Sequence, residues 1–221
     1  MKLEKIVIEL RYKDINPIFN WRSSLFKALT GTRPTQDVSL NEGFELKIED
    51  KKALLILEQR RWAVAVENTS NVEDVKKFLY ELFTKIHSVI NWGTGCRIGV
   101  RTVWVKEYVG TLENLVNKIK EEVYKNIPIV DSAKDIALNL SLSNREHKVN
   151  YILGPMEKKE PTHQYFQNKS FEELPNVFLL LDLDYFFVKN QIYTKKYFKE
   201  FVEEAMNFAL IKSNESEGLI L

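Results

Sequence analysis

The chain has 221 residues, 44% hydrophobic and 12% aromatic, enough apolar material for one large core or two small ones and too much for a disordered chain. Its 32 Lys and Arg nearly cancel its 31 Asp and Glu, for a net charge of +1, so no global field holds a phosphate backbone and non-specific nucleic-acid binding is disfavoured. Cys96 is the single cysteine, which excludes an intramolecular disulfide and suits a reducing cytosol.

The opening Met1-Lys2-Leu3-Glu4-Lys5 is charged where a signal peptide needs an apolar run. No stretch approaches the ~20 apolar residues of a membrane span. A soluble, cytoplasmic protein without a membrane role is expected. Its 24 Lys against 8 Arg, with plentiful Ile and Asn, suit an AT-rich microbial genome.

In chain order, Lys5 to Tyr12 reads as a strand with Ile6, Ile8, Leu10 and Tyr12 on one face. Pro17 ends it, and Trp21 to Leu29 reads as a helix with Trp21, Leu25, Phe26 and Leu29 on one side, closed by Gly31 and Pro34. After a polar loop, Phe44 to Ile48 and Ala53 to Gln59 form a hairpin around Glu49–Lys52, and a further strand runs from Trp62 to Glu67. A long helix spans Val72 to Ile90, with Asn71 as its N-cap. In the second half, Arg97 to Lys106 reads as a strand and Thr111 caps a helix. Ile136 to Leu140 and Lys148 to Leu153 form a hairpin, Val177 to Phe187 is a strand, and Thr194 caps the final helix.

The two halves share one order, and Ile8-Glu9-Leu10-Arg11 matches Ile98-Gly99-Val100-Arg101. The expected fold is α+β, a duplicated β-α-β-β-β-α unit related by a pseudo-two-fold, with helices packed on one face of an antiparallel sheet. The first repeat is residues 1–92. The second is 93–221, with a long loop at 154–175 in which Tyr165, Phe166 and Phe171 either tuck back or meet a partner; the two repeats form either separate units or one continuous domain. The order is similar to that of the TATA-binding protein, where a duplicated unit makes a saddle. That likeness concerns architecture alone, and the near-neutral charge counts against a nucleic-acid saddle.

The strongest chemical signal is Asp182-Leu183-Asp184 in an apolar strand. Two carboxylates at i and i+2 point the same way and would share Mg²⁺. The segment is similar to the Asp-x-Asp metal strand of Y-family polymerases, which need a second acidic motif far downstream; only one more helix is expected here. The favoured reading puts Leu179, Leu181, Leu183, Tyr185 and Phe187 in the core, with Asp182 and Asp184 on the opposite face. There they meet arginines, whose planar fork suits a carboxylate. Arg101 is expected to pair with Asp184 and Arg11 with Glu67, in a charge network that is structural or lines a binding surface. Gly93, Gly95 and Gly99 follow a helix and lead into a strand, the wrong order for a phosphate loop; Gly93 reads as a helix cap and Gly95 as a turn residue. His87, His147 and His163 are too scattered for a zinc site. No cofactor is expected.

The strings Ile8-Glu9-Leu10-Arg11-Tyr12, Arg97-Ile98-Gly99-Val100-Arg101 and Leu181-Asp182-Leu183-Asp184 together resemble a sporadically distributed, functionally uncharacterised prokaryotic family of about this length. Its members typically carry an aromatic after the central arginine, where this chain has Thr102. The resemblance brings no activity with it. The expected function is a non-enzymatic binding or interaction module for a protein or small ligand, compatible with a homo-oligomer and with a stress or phage-defence locus. The alternative is a Mg²⁺-dependent enzyme acting on a nucleotide or nucleic acid through Asp182 and Asp184.

Overall fold

Alternation along β1 (Lys2–Tyr12) sends Ile6, Ile8, Leu10 and Tyr12 into a core and leaves Lys5, Val7, Glu9 and Arg11 on the other side. The computed structural model of the chain describes residues 1–29, 34–39, 43–67, 71–158, 165–166 and 173–220. In it, β1 pairs antiparallel with both β5 (Arg61–Glu67) and β6 (Gly95–Glu107). Outward from β5 come β4 (Ala53–Glu58), β3 (Gly43–Ile48) and β2 (Pro34–Ser39). Outward from β6 come β9 (Val177–Phe187), β8 (His147–Glu157) and β7 (Leu138–Asn144). The result is a single antiparallel sheet of 9 strands that runs unbroken across the boundary expected near residue 92.

Helices α1 (Ile18–Leu29), α2 (Val72–Val89), α3 (Leu112–Val123) and α5 (Lys195–Gly218) bury their apolar stripes in one cluster with the even-numbered side chains of β1 and β6. Each large side chain so buried is worth roughly 1.5–3 kcal/mol against exposure. Three of these helices begin at the caps the sequence marks. Asn71 accepts from the Glu73 and Asp74 amides, Thr111 from Asn114 and Thr194 from Tyr197. No helix among the described residues is long and apolar enough to cross a membrane.

Several expectations need correction. β2 occupies part of what reads as a polar loop, because its pairing with β3 rather than any apolar alternation defines it. Helix α1 begins earlier, at Ile18, and its buried stripe is Ile18, Leu25 and Leu29, with Trp21 exposed on the flank. A short helix, α4 (Pro128–Asp131), lies before β7, which starts at Leu138 rather than Ile136. Gly93, with φ of 68°, is a turn residue beyond the C-cap at Ile90, and Gly95 opens β6. The loop expected from Gly154 begins only after Glu157, since Gly154 to Glu157 pair with β9. Pro155 is tolerated there because β7 stops opposite Leu153, leaving it with one neighbouring strand.

Among the described residues, no α-helix packs on the opposite face of the sheet. At one end Phe166 and Leu174 cover Val103, Val105, Phe178 and Leu180 in a second apolar cluster. Phe166 therefore tucks back onto the sheet; Phe171 and His163 lie outside the described residues.

At the other end of the core, His87 of α2 stacks on Phe83 with ring centroids 3.9 Å apart. Its Nε2 lies 3.0 Å from the Tyr12 hydroxyl, which accepts from Trp62 Nε1 at 3.2 Å. The tyrosine thus donates to a neutral imidazole. Burial pushes the His87 pKa down to about 4. The unfolded chain therefore takes up a proton near pH 6.5 that the folded chain refuses. This contribution is fully present above pH 6.5 and is lost as pH falls toward 4, and it amounts to about 3 kcal/mol at the acid limit. Urea midpoints should fall between pH 7 and 5, above the carboxylate range, and His87→Phe should flatten that fall. An equal slope in the variant would show that another group controls it.

Candidate functional site

Three arginines stand abreast on the helix-free face. The ladder sets Arg11 opposite Arg61 on one side and opposite Arg97 on the other. Like charges directly across a sheet repel, and Glu9, two residues along β1 on the same face, compensates them. Its carboxylate accepts from Arg97 at 2.6 Å, from Arg11 Nε at 2.8 Å and from Arg61 at 3.1 Å. Burial alone would raise the Glu9 pKa, but Arg11, Arg97 and Arg61 outweigh it and hold the carboxyl below its ordinary value.

The network continues on both sides. Arg61 also grips Glu58 with two nitrogens, at 3.0 and 2.7 Å. Arg97 reaches on to Asp184 at 3.2 Å, with its guanidinium 5.0 Å from the Phe186 ring centroid. Arg101 forks onto Asp182 with bonds of 2.8 and 2.6 Å. Burial raises the Asp184 pKa, and Arg97 and Arg101 only partly counter it. The hydrogen bond that Arg101 donates to Asp182 is the main reason the Arg101 pKa is raised, against burial. Four of the chain's eight arginines meet here.

At the centre is a shallow depression of about 190 Å³, lined by Val7, Glu9, Arg97, Gly99, Arg101 and Asp184. Gly99 makes room for it. A Cβ there would lie 3.1–3.3 Å from the Arg97 guanidinium, which bends back over the strand.

Arg101, Asp182 and Asp184 are brought together as expected, but the pairing differs. Arg101 is the Cα partner of Asp184, yet its long side chain runs diagonally to Asp182. Arg11 does not meet Glu67, because β5 runs antiparallel and places Glu67 opposite Lys5, ~20 Å along the strand from Arg61. Glu67 pairs with Lys5 at 3.0 Å. Glu9, Arg61, Arg97 and Glu58 were missed. Glu9 and Arg97 share the period-two parity of Arg11 and Arg101, and extending that parity along both strands would have found them. Both oxygens of Asp182 are taken by Arg101, so a cation at this carboxylate would have to displace the fork. Among the described residues no three His, Cys, Asp or Glu are grouped to hold a metal.

A smaller cluster lies on the helix side. The Tyr185 hydroxyl donates to Glu204 at 2.9 Å and sits 2.7 Å from His147 Nδ1, while Asn144 donates to it at 3.1 Å. His147 thus opens β8 with a built set of partners.

No family model and no curated protein matches the chain. Among solved structures, that of Methanococcus jannaschii TBP is similar at 9% identity, covering 97% of this chain and 96% of that one, with a TM-score of 0.36. A likeness of that size carries no inference about fold or function.

Two expected outcomes test the network. Glu9→Gln should destabilise the fold by about 1–3 kcal/mol by leaving Arg11 without its carboxylate and Arg61 and Arg97 with one each, and added salt should recover part of the loss. In double-mutant cycles on urea unfolding, Arg101→Ala and Asp182→Ala should couple by about 0.5–3 kcal/mol. Arg11→Ala and Glu67→Ala should add, since their side chains do not meet.

Proposed function

We propose that the chain is a non-enzymatic binding module whose recognition surface is the arginine–carboxylate row at the centre of the helix-free face, and that it recognises a protein. The observation that carries this reading is the depression over Gly99, where side chains of both signs are held in place at an open surface. Its volume, about 190 Å³, falls below the roughly 300–1,000 Å³ of pockets that enclose small ligands. It fits an inserted side chain of a protein partner better than a free small molecule.

The same reading takes the two halves as one duplicated β-α-β-β-β-α unit around a pseudo-two-fold axis. Matching Ile8–Arg11 to Ile98–Arg101 makes Glu9 the counterpart of Gly99, and the ladder pairs those two residues with each other. Outward from that seam the strand orders are β1-β5-β4-β3 and β6-β9-β8-β7. The axis would then pass through the depression, which exists because one copy has glutamate where the other has glycine. A cytoplasmic location, and a role in prokaryotic stress or phage defence, belong to this proposal through the lone cysteine and the family resemblance.

Gly99→Val tests it. The added side chain projects into the depression, its Cβ meets first the movable end of Arg97, and β-branched residues suit a strand. Covalent cross-linking in the source cells, followed by affinity measurement on the purified pair, should find a partner whose binding weakens about tenfold or more in the variant, the scale of a hot-spot contact. Lys125→Glu, on the exposed stretch after α3, should leave binding unchanged. A partner held equally by Gly99→Val would remove the site from recognition.

A further inference from the structure

The two edges of the sheet are built differently. The β2 edge contains Pro34 and Asp37, and its register with β3 slips between Pro34 and Gln36. Proline, charge and irregular pairing are the usual means of blocking a strand edge. The β7 edge has none of them. Its sequence Leu-Asn-Leu-Ser-Leu-Ser-Asn is uncharged over 7 residues and pairs with β8 without a bulge from Leu138 to Asn144. It ends the sheet, and no described residue pairs with its outer side. Leu138 and Leu142 pack partly against the helix-side core, while Leu140 on the same face is 38% exposed.

We propose that β7 is a dimerisation edge that pairs antiparallel with β7 of a second copy of this chain, centred on Ser141. The argument for a second copy is self-complementarity. That register sets Leu140 of each copy against Leu142 of the other on the helix face and buries the exposed leucine. It sets Asn139 against Ser143 and Ser141 against itself on the other face, so no charge meets a like charge. Beyond the strand ends, it carries the exposed Asp135 of one copy toward the exposed Arg145 of the other.

The surroundings supply further apolar area. Ile127 and Ile129, on the connection leading into β7, are 45% and 82% exposed. Ile211 of α5, 57% exposed, borders a depression beside Asn144 and Arg145 at the turn of the β7–β8 hairpin. The inference does not depend on the recognition surface, since β8 and β9 separate β7 from β6.

Sedimentation equilibrium on the full chain should give the mass of a dimer. Ser141→Lys places two ammonium groups face to face on an exposed position and should give monomers with an unchanged circular dichroism spectrum. In a Cys96→Ser background, Ser141→Cys should form an intermolecular disulfide under mild oxidation, because directly opposed Cα atoms lie ~4.5–5.5 Å apart, within disulfide reach. Asn139→Cys should not, since its two copies would stand ~13 Å apart along the strands. A wild type that remains monomeric at high concentration overturns the proposal. So does a dimer that survives Ser141→Lys, or cross-linking that is equal at positions 139 and 141.

Discussion

The carboxylate of Glu9 is the point on which the helix-free face depends. Arg61, Arg11 and Arg97 stand side by side on adjacent strands, an arrangement that mutual repulsion would forbid without a shared counter-ion. Two residues along β1 is the nearest position on the same face, and glutamate has the reach to accept from all three. Each arginine in turn keeps the half-buried carboxylate ionised against desolvation. Removing Glu9 would leave Arg11 without a carboxylate and Arg61 and Arg97 with one each, on Glu58 and Asp184, so its loss is felt on every strand of the row.

This rigidity has a structural source on the other side of the same strands. β1 and β6 send Ile6, Ile8, Leu10, Ile98 and Val100 into the main core, under α2 and α5. A side chain on one face of a strand fixes the position of its neighbour on the other, since successive residues alternate. Helix packing therefore sets the spacing of the arginines without touching them. Arg97, bonded to Glu9 and Asp184 and lying over Gly99 and Phe186, has little rotamer freedom left to lose on meeting a partner, which lowers the entropic cost of association.

Much of this was legible in the sequence. Period-two alternation put Asp182 and Asp184 on the face opposite Leu181, Leu183 and Tyr185, and that held because those three side chains fill the main core, where a carboxylate would be desolvated. Side-chain caps marked α2, α3 and α5, because Asn71, Thr111 and Thr194 satisfy amides that would otherwise lack partners. Register was not legible. The expected Arg11–Glu67 pair assumed that the end of one strand faces the end of the next, whereas antiparallel pairing sent Glu67 to Lys5. Nor does Cα pairing decide which carboxylate a long guanidinium grips: Arg101 faces Asp184 across the ladder and bonds Asp182. β2 was invisible for a related reason, since an edge strand with one partner and no apolar face has no periodic signal to read.

The two aspartates of β9 end in different electrostatic states, and this gives the proposed recognition surface a direction. Asp182 has both oxygens filled by Arg101 and borders the dry cluster of Phe166 and Leu174, where a lower local dielectric strengthens the pair. Asp184 receives a single bond from Arg97 and has its pKa raised by burial, so its acceptor capacity is unspent. Arg11 and Arg101 keep half-exposed guanidinium groups on the outer rim. The depression over Gly99 thus sets a carboxylate able to accept a further donor beside guanidinium groups, so the two signs of charge meet at one open point of the sheet.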